Sequence, residues 1–263
     1  MIHDNLTKTC LSAGNLTRFC KKCAPGGVRL EMKKTPKKQR AFVLIEIAIA
    51  LFVLALVLGG ILVPLNQQVQ QGKIRDTQKA ISDINEALIG FVMINGRLPR
   101  PATSSTNGLE NAAACANEAA CTGFIPWTTL GSAKLDAWGN LIQYSVTPAF
   151  ANAAFALTTV GTKTIQERDA AATLVNYATQ VPVVVWSPGP ENFGTNDAGV
   201  ARANSSSGVT NADEITNNAA TVTFIRRVAS DNAGATGGEF DDLVTFIPTS
   251  VLVGKAIAAG KLP

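Results

Sequence analysis

The sequence predicts an α+β protein: a long N-terminal helix, apolar in its first half and amphipathic in its second, packed on an antiparallel β-sheet. Three observations carry this. Residues 42–65, FVLIEIAIALFVLALVLGGILVPL, form an apolar run of 24 residues with one charge, Glu46. Behind it Ile74, Thr77, Ile81, Ile84, Leu88 and Phe91 recur at the three- and four-residue spacing of one helix face. The remainder breaks into short β-branched and aromatic segments between Gly-, Pro- and Asn-rich stretches.

Residues 1–41 read as a basic leader. They hold ten Lys/Arg against Asp4 and Glu31, a net +8, so the other residues carry −4 of the chain's total of +4. A basic stripe is therefore missing from the body, which argues against a nucleic-acid partner. Met32 opens MKKTPKKQRA, a sufficient leader in itself, and is the expected true start. Cys20-x-x-Cys23 with Cys10 has the look of a metal motif but lacks a fourth ligand.

As a helix, residues 42–65 would rise about 36 Å, against a hydrocarbon core of about 30 Å. The run is longer than the apolar part of a secretory signal and has no small-x-small cleavage site behind it. Lys and Arg on its N-terminal side place that side in the cytoplasm and the rest outside. The sequence thus predicts a membrane-crossing segment at 42–65 and an amphipathic helix over 66–95. Asn95-Gly96 and Leu98-Pro99 stop that helix.

Residues 96–263 read as an exported globular domain. Strands are expected at 141–146, 156–160, 181–186, 220–228 and 243–247. Residues 195–219, rich in Asn, Ser, Ala and Thr, suggest an exposed insertion or hairpin excursion. After Pro248, Thr249 or Ser250 is expected to cap a terminal helix over 251–260. Cys115 and Cys121 are the only cysteines in the part expected to be exported, and an isolated pair in an oxidising compartment is expected to bond. So short a loop is credited with roughly 2 kcal/mol by the chain-entropy model.

Most enzyme chemistry is poorly supported. The one histidine, His3, precedes any folded region, which removes Ser-His-Asp and Cys-His catalysis. Neither a G-x-x-x-x-G-K-[ST] loop nor a G-x-G-x-x-G fingerprint is present. Glu46 stands out instead, because a carboxylate within an apolar helix is costly and marks a functional candidate.

The basic tract, Ala41, Phe42 and Glu46 at the fifth position of the apolar run together resemble the processing signal of type IV prepilins and type II secretion pseudopilins. Leu135-Asp136-Ala137-Trp138-Gly139-Asn140 with Tyr144, VVVWSPG at 183–189, and Glu239-Phe240-Asp241-Asp242-Leu243-Val244 resemble segments of major pseudopilins. The family usually has Gly where this chain has Ala41. The resemblance implies a pilin-like fold, cleavage between Ala41 and Phe42 by a prepilin peptidase, and N-methylation of Phe42. It implies that Glu46 serves assembly, and that the protein is a structural subunit of a type II secretion or type IV pilus-like filament rather than an enzyme. Its partners would be other pilin or pseudopilin subunits and an inner-membrane platform with its ATPase. Its location would be the bacterial inner membrane with the C-terminal domain periplasmic. The alternative is a membrane-anchored periplasmic binding module that does not polymerise.

Hard cations take several oxygen ligands. Glu239, Asp241 and Asp242, joined by Glu191 or Asn192 of the SPGPEN loop, are candidate ligands for Ca2+ by similarity to major pseudopilins. The alternative is a solvated acidic turn before an edge strand.

Overall fold

The computed structural model describes residues 43–206, 210–219 and 221–262; the side chains of residues 43 and 59–66 are outside the description. Ala41, Phe42 and the leader fall outside the described residues. The chain divides into two units, Met1–Ala55 and Leu56–Pro263.

In the first unit the described residues belong to the start of helix α1 (Val43–Asn95). Their large apolar side chains are open to solvent, with Leu44 84% and Phe52 65% exposed. The expectation of a pilin-like fold whose helix crosses a membrane with its first half is corrected here. Among the described residues no helix is long and apolar enough to cross a membrane. From Gln67 onward the helix surface is polar, beginning with Gln67, Gln68, Gln70 and Gln71. What stands is an α+β protein with an antiparallel sheet.

The second unit is built around the later part of α1. Thr77, Ile81, Ile84 and Leu88 are buried as their spacing requires, but the stripe closes on Val92, and Phe91 is only half-buried. Thr77 survives in an apolar stripe because its hydroxyl accepts a hydrogen bond from the Ala137 N–H at 3.1 Å. Gly96, at φ +68°, donates its N–H to the Val92 carbonyl at 2.8 Å and ends the helix in the left-handed turn that glycine favours.

The elements that follow are β1 (Thr122–Phe124), α2 (Trp127–Leu130), β2 (Gln143–Val146), α3 (Pro148–Ala151), β3 (Lys163–Arg168), β4 (Leu174–Val181) and β5 (Val183–Ser187). The chain closes with α4 (Ala212–Ala219), β6 (Thr223–Ile225), β7 (Leu243–Ile247) and α5 (Thr249–Ala258). Four strands form an antiparallel sheet in the order β1-β2-β5-β7. A second sheet runs β4-β3-β6, antiparallel between β3 and β4 and parallel between β3 and β6.

Strand β5 explains how these layers meet. Successive side chains point to opposite faces. Val183 and Val185 join Ile84, Leu88, Tyr144 and Ile247 in the main core, while Val184 and Trp186 pack with Ile165 and Phe224 in a second core. All five β5 residues are buried, which is why VVVW reads as a continuous apolar run without alternation. Tyr144, fully buried, donates its hydroxyl to the Pro99 carbonyl at 2.9 Å and fixes the exit from α1 against the sheet.

Several expected elements differ. Residues 156–160 form turns, because the Ala156 N–H is held by the Thr159 hydroxyl at 2.9 Å and the Thr159 N–H by the Ala156 carbonyl at 3.0 Å. The terminal helix begins at Thr249, with Pro248 at the cap and no side-chain capping bond. Thr249 instead donates to the Gln180 carbonyl at 2.9 Å. The structure joins Cys115 to Cys121, with both sulfurs in the main core. Leu88 touches the centre of that core with no exposure, so Leu88→Ala should destabilise the protein by about 3 kcal/mol in urea unfolding of the detergent-purified chain.

Candidate functional site

Of the residues tied to processing and assembly, Glu46 alone is described. It lies exposed in the first turn of α1, amid apolar neighbours.

Two segments of the globular part, residues 135–140 and 183–189, meet across one carboxylate. Asp136 is buried; its Oδ1 accepts the N–H groups of Trp138 and Asn140, both at 2.9 Å, and its Oδ2 accepts the Ser187 hydroxyl at 2.7 Å. Asn140 returns the link by donating Nδ2 to the Gly189 carbonyl at 2.7 Å. The D-x-W-G-N turn and the VVVWSPG loop are thus one hydrogen-bonded corner. Its members are engaged with one another, which is the pattern of a structural support. Trp138 reaches α1 through its indole N–H to Gln70 at 3.2 Å.

The carboxylates of Glu239, Asp241 and Asp242, the candidate calcium ligands, each take a different hydrogen-bond partner. Glu239 accepts a short hydrogen bond from the Ser206 hydroxyl. Asp241 Oδ2 accepts the Glu191 N–H at 3.0 Å, and Asp242 Oδ2 accepts Asn217 Nδ2 at 2.7 Å. Each carboxylate has a separate partner, and among the described residues no group of three or more His, Cys, Asp or Glu side chains converges to hold a metal. Asn192, the other expected contributor, spends its Nδ2 on Ser206 and Glu214 and its Oδ1 on Ser205 and Ser206.

The residue that organises this region is Glu214, on α4, which no sequence motif singles out. It is 2% exposed; Oε1 accepts the Asp241 N–H at 2.9 Å and Oε2 accepts Asn192 and Asn211 amides, both at 3.0 Å. Neighbouring Asp213 is gripped by Arg168 at 2.6 and 2.8 Å, while Arg227 approaches to 3.3 Å without hydrogen-bond alignment. Within the 195–219 stretch residues 196–201 are exposed, while Asp213, Glu214 and Asn217 near its end are buried. Its first part folds back as a turn bridging Thr195 to Ala201, and its last part is a helix clamped by buried polar bonds. Residues 207–209 fall outside the described residues.

Burial raises the Asp242 carboxyl to about 8, with the Asn217 hydrogen bond opposing and Glu214 reinforcing the rise. Asp241 is raised too, first by burial and then by the charges of Glu214 and Asp242. Its Oδ1 is buried without a partner and lies where a side chain on Gly189 would intrude, 2.4 Å from an added Cβ. Gly189 also sits at φ +70°. Gly189→Ala should therefore cost about 2 kcal/mol or more, read as a lowered urea midpoint. Beside the cluster a cleft of about 300 Å³ is lined by Phe124, Gln143, Trp186, Arg202, Glu214 and Asp242 among others.

Compared with models of protein families, with curated proteins and with solved structures, the chain matches none.

Proposed function

We propose that this protein is a structural subunit of a type II secretion or type IV pilus-like filament, processed between Ala41 and Phe42 by a prepilin peptidase. The observation that carries the reading is the surface of α1 between Leu44 and Leu58. Eleven large apolar side chains there are each more than half exposed, on every face of the helix, with Glu46 as the sole charge. A surface of that size does not persist in water. Lipid covers it in the precursor, held at the bacterial inner membrane with its globular domain in the periplasm. Helices of neighbouring subunits cover it in the filament. Prepilin peptidase and an assembly platform with its ATPase are the partners this requires, and no chemistry is assigned to the chain itself.

A second reading, a membrane-held binding module that stays monomeric, is favoured by the cleft beside Glu214. Crosslinking separates the two. With a cysteine at Leu44 or Ile47, membranes expressing the whole assembly machine should give a ladder of disulfide-linked multimers. A product that remains monomeric under the same oxidation would contradict the filament reading and favour the binding module.

A further inference from the structure

Lys163, the first residue of β3, is unusual in having its whole side chain buried with no exposure. Its ammonium donates to Glu118 Oε2 at 2.5 Å and to the Thr221 carbonyl at 2.5 Å. Among the described residues Glu118 is its only ion-pair partner. A buried charge is tolerated only with such a partner; removing one member of a buried pair leaves the other uncompensated and is strongly destabilising. Burial does lower the Lys163 ammonium below its ordinary range, with Glu118 opposing the shift.

Glu118 owes its position to the disulfide loop. It sits midway between Cys115 and Cys121, and its carbonyl accepts the Cys121 N–H at 3.2 Å and the Thr122 hydroxyl at 3.0 Å. Its second carboxylate oxygen accepts the Thr162 hydroxyl at 2.8 Å. One end of the loop is fixed where the Cys121 carbonyl accepts the Val146 N–H at 3.0 Å, inside the four-stranded sheet. The other end has the Asn152 side chain, bonded to the Cys115 N–H and carbonyl, together with the S–S bond. The cross-link therefore lies between the main sheet and the counterion of the second sheet.

We infer that the Cys115–Cys121 disulfide is a redox latch: it holds Glu118 over Lys163, and its reduction releases the counterion and loosens β3 with the sheet it centres. A dithiol supplies the two electrons and two protons that turn the S–S bond into two thiols, and is itself oxidised to a disulfide. On the proposed function the latch closes only after export to an oxidising compartment, so that the second sheet is completed there. The latch itself does not depend on that function, because it is tested on the purified chain without any assembly partner.

The test is a comparison of thermal unfolding with and without dithiothreitol for the full chain in detergent, and for Lys163→Met and Glu118→Gln. In the parent, reduction should remove both the loop constraint and the charge compensation. In Lys163→Met the buried charge is absent, so the drop in Tm on reduction should fall to half of the parental value or less. In Glu118→Gln the compensation is already lost, so the drop should be similarly reduced from a lower starting Tm, and this arm decides if Lys163→Met does not fold. Amide exchange gives the local readout: in the reduced parent, Ile165 and Gln166 should lose protection at least tenfold more than Tyr144 and Val185. Equal Tm drops in the parent and the variants, or protection lost evenly across both sheets, would overturn the latch.

Discussion

Asp242→Asn should stabilise the protein by a few kcal/mol at pH 9 and by little at pH 4. The Asp242 carboxyl, 8% exposed, is raised in the folded state from an ordinary 3.8 to about 8. Between those values the folded protein holds a proton that the unfolded chain has released. The stabilising contribution of the neutral acid is thus complete below about pH 4 and is lost as pH rises through about 8. Every tenfold change in proton affinity corresponds to about 1.4 kcal/mol, so a rise of this size sets the scale at a few kcal/mol. Asparagine keeps an oxygen for the Asn217 amide and carries no charge to bury. Urea unfolding followed by the fluorescence of Trp127, Trp138 and Trp186 at the two pH values measures the difference. A gain equal at both pH values would contradict the burial of a titrating acid in this cluster.

Glu46→Ala should leave membrane association and leader removal intact and prevent incorporation into filaments. On the proposed function, cleavage frees an amine on Phe42, about one helical turn from the carboxylate. A lone carboxylate among apolar groups is penalised, and a partner of opposite charge compensates it. Pairing Glu46 of one subunit with the amine of the next then fixes axial register while disfavouring the unassembled state. A charge-assisted bond of about 1.5–3 kcal/mol corresponds to a loss of incorporation of roughly tenfold to a hundredfold. Quantifying the variant in sheared or crosslinked filament fractions measures this. Parental levels of incorporation would remove Glu46 from the assembly role.

The parts of the fold legible in the sequence are those with strong periodicity. The stripe on α1 is readable because its contacts repeat every three to four residues, and β5 because VVVW is buried on both faces. Strands β3 and β4 escape for the opposite reason. KTIQER and LVNYATQV mix polar and apolar residues without alternation, and β4 is exposed along most of its length. Residues 156–160 mislead because their apolar side chains sit in a turn closed by Thr159. The α4 region escapes through composition: Asn192, Asn211, Glu214 and Asn217 look like loop residues, yet the first three share a buried hydrogen-bonded network and Asn217 is buried on Ile225 and Asp242. Such networks are set by tertiary contacts and leave no periodic signal. The same applies to Lys163 and Glu118, which are 45 residues apart in sequence. The membrane expectation rests on the length of the apolar run 42–65, whereas among the described residues no helix is long and apolar enough to cross a membrane.

The central claim, a filament subunit matured by leader removal, is tested most directly by the N-terminal residue of the protein isolated from membranes of cells carrying the prepilin peptidase. A single mature chain beginning at methylated Phe42, directly after Ala41, is the expected result. A mature chain beginning beyond residue 60, as a conventional signal peptide would leave, or a protein that keeps its basic leader in the presence of the peptidase, would contradict it.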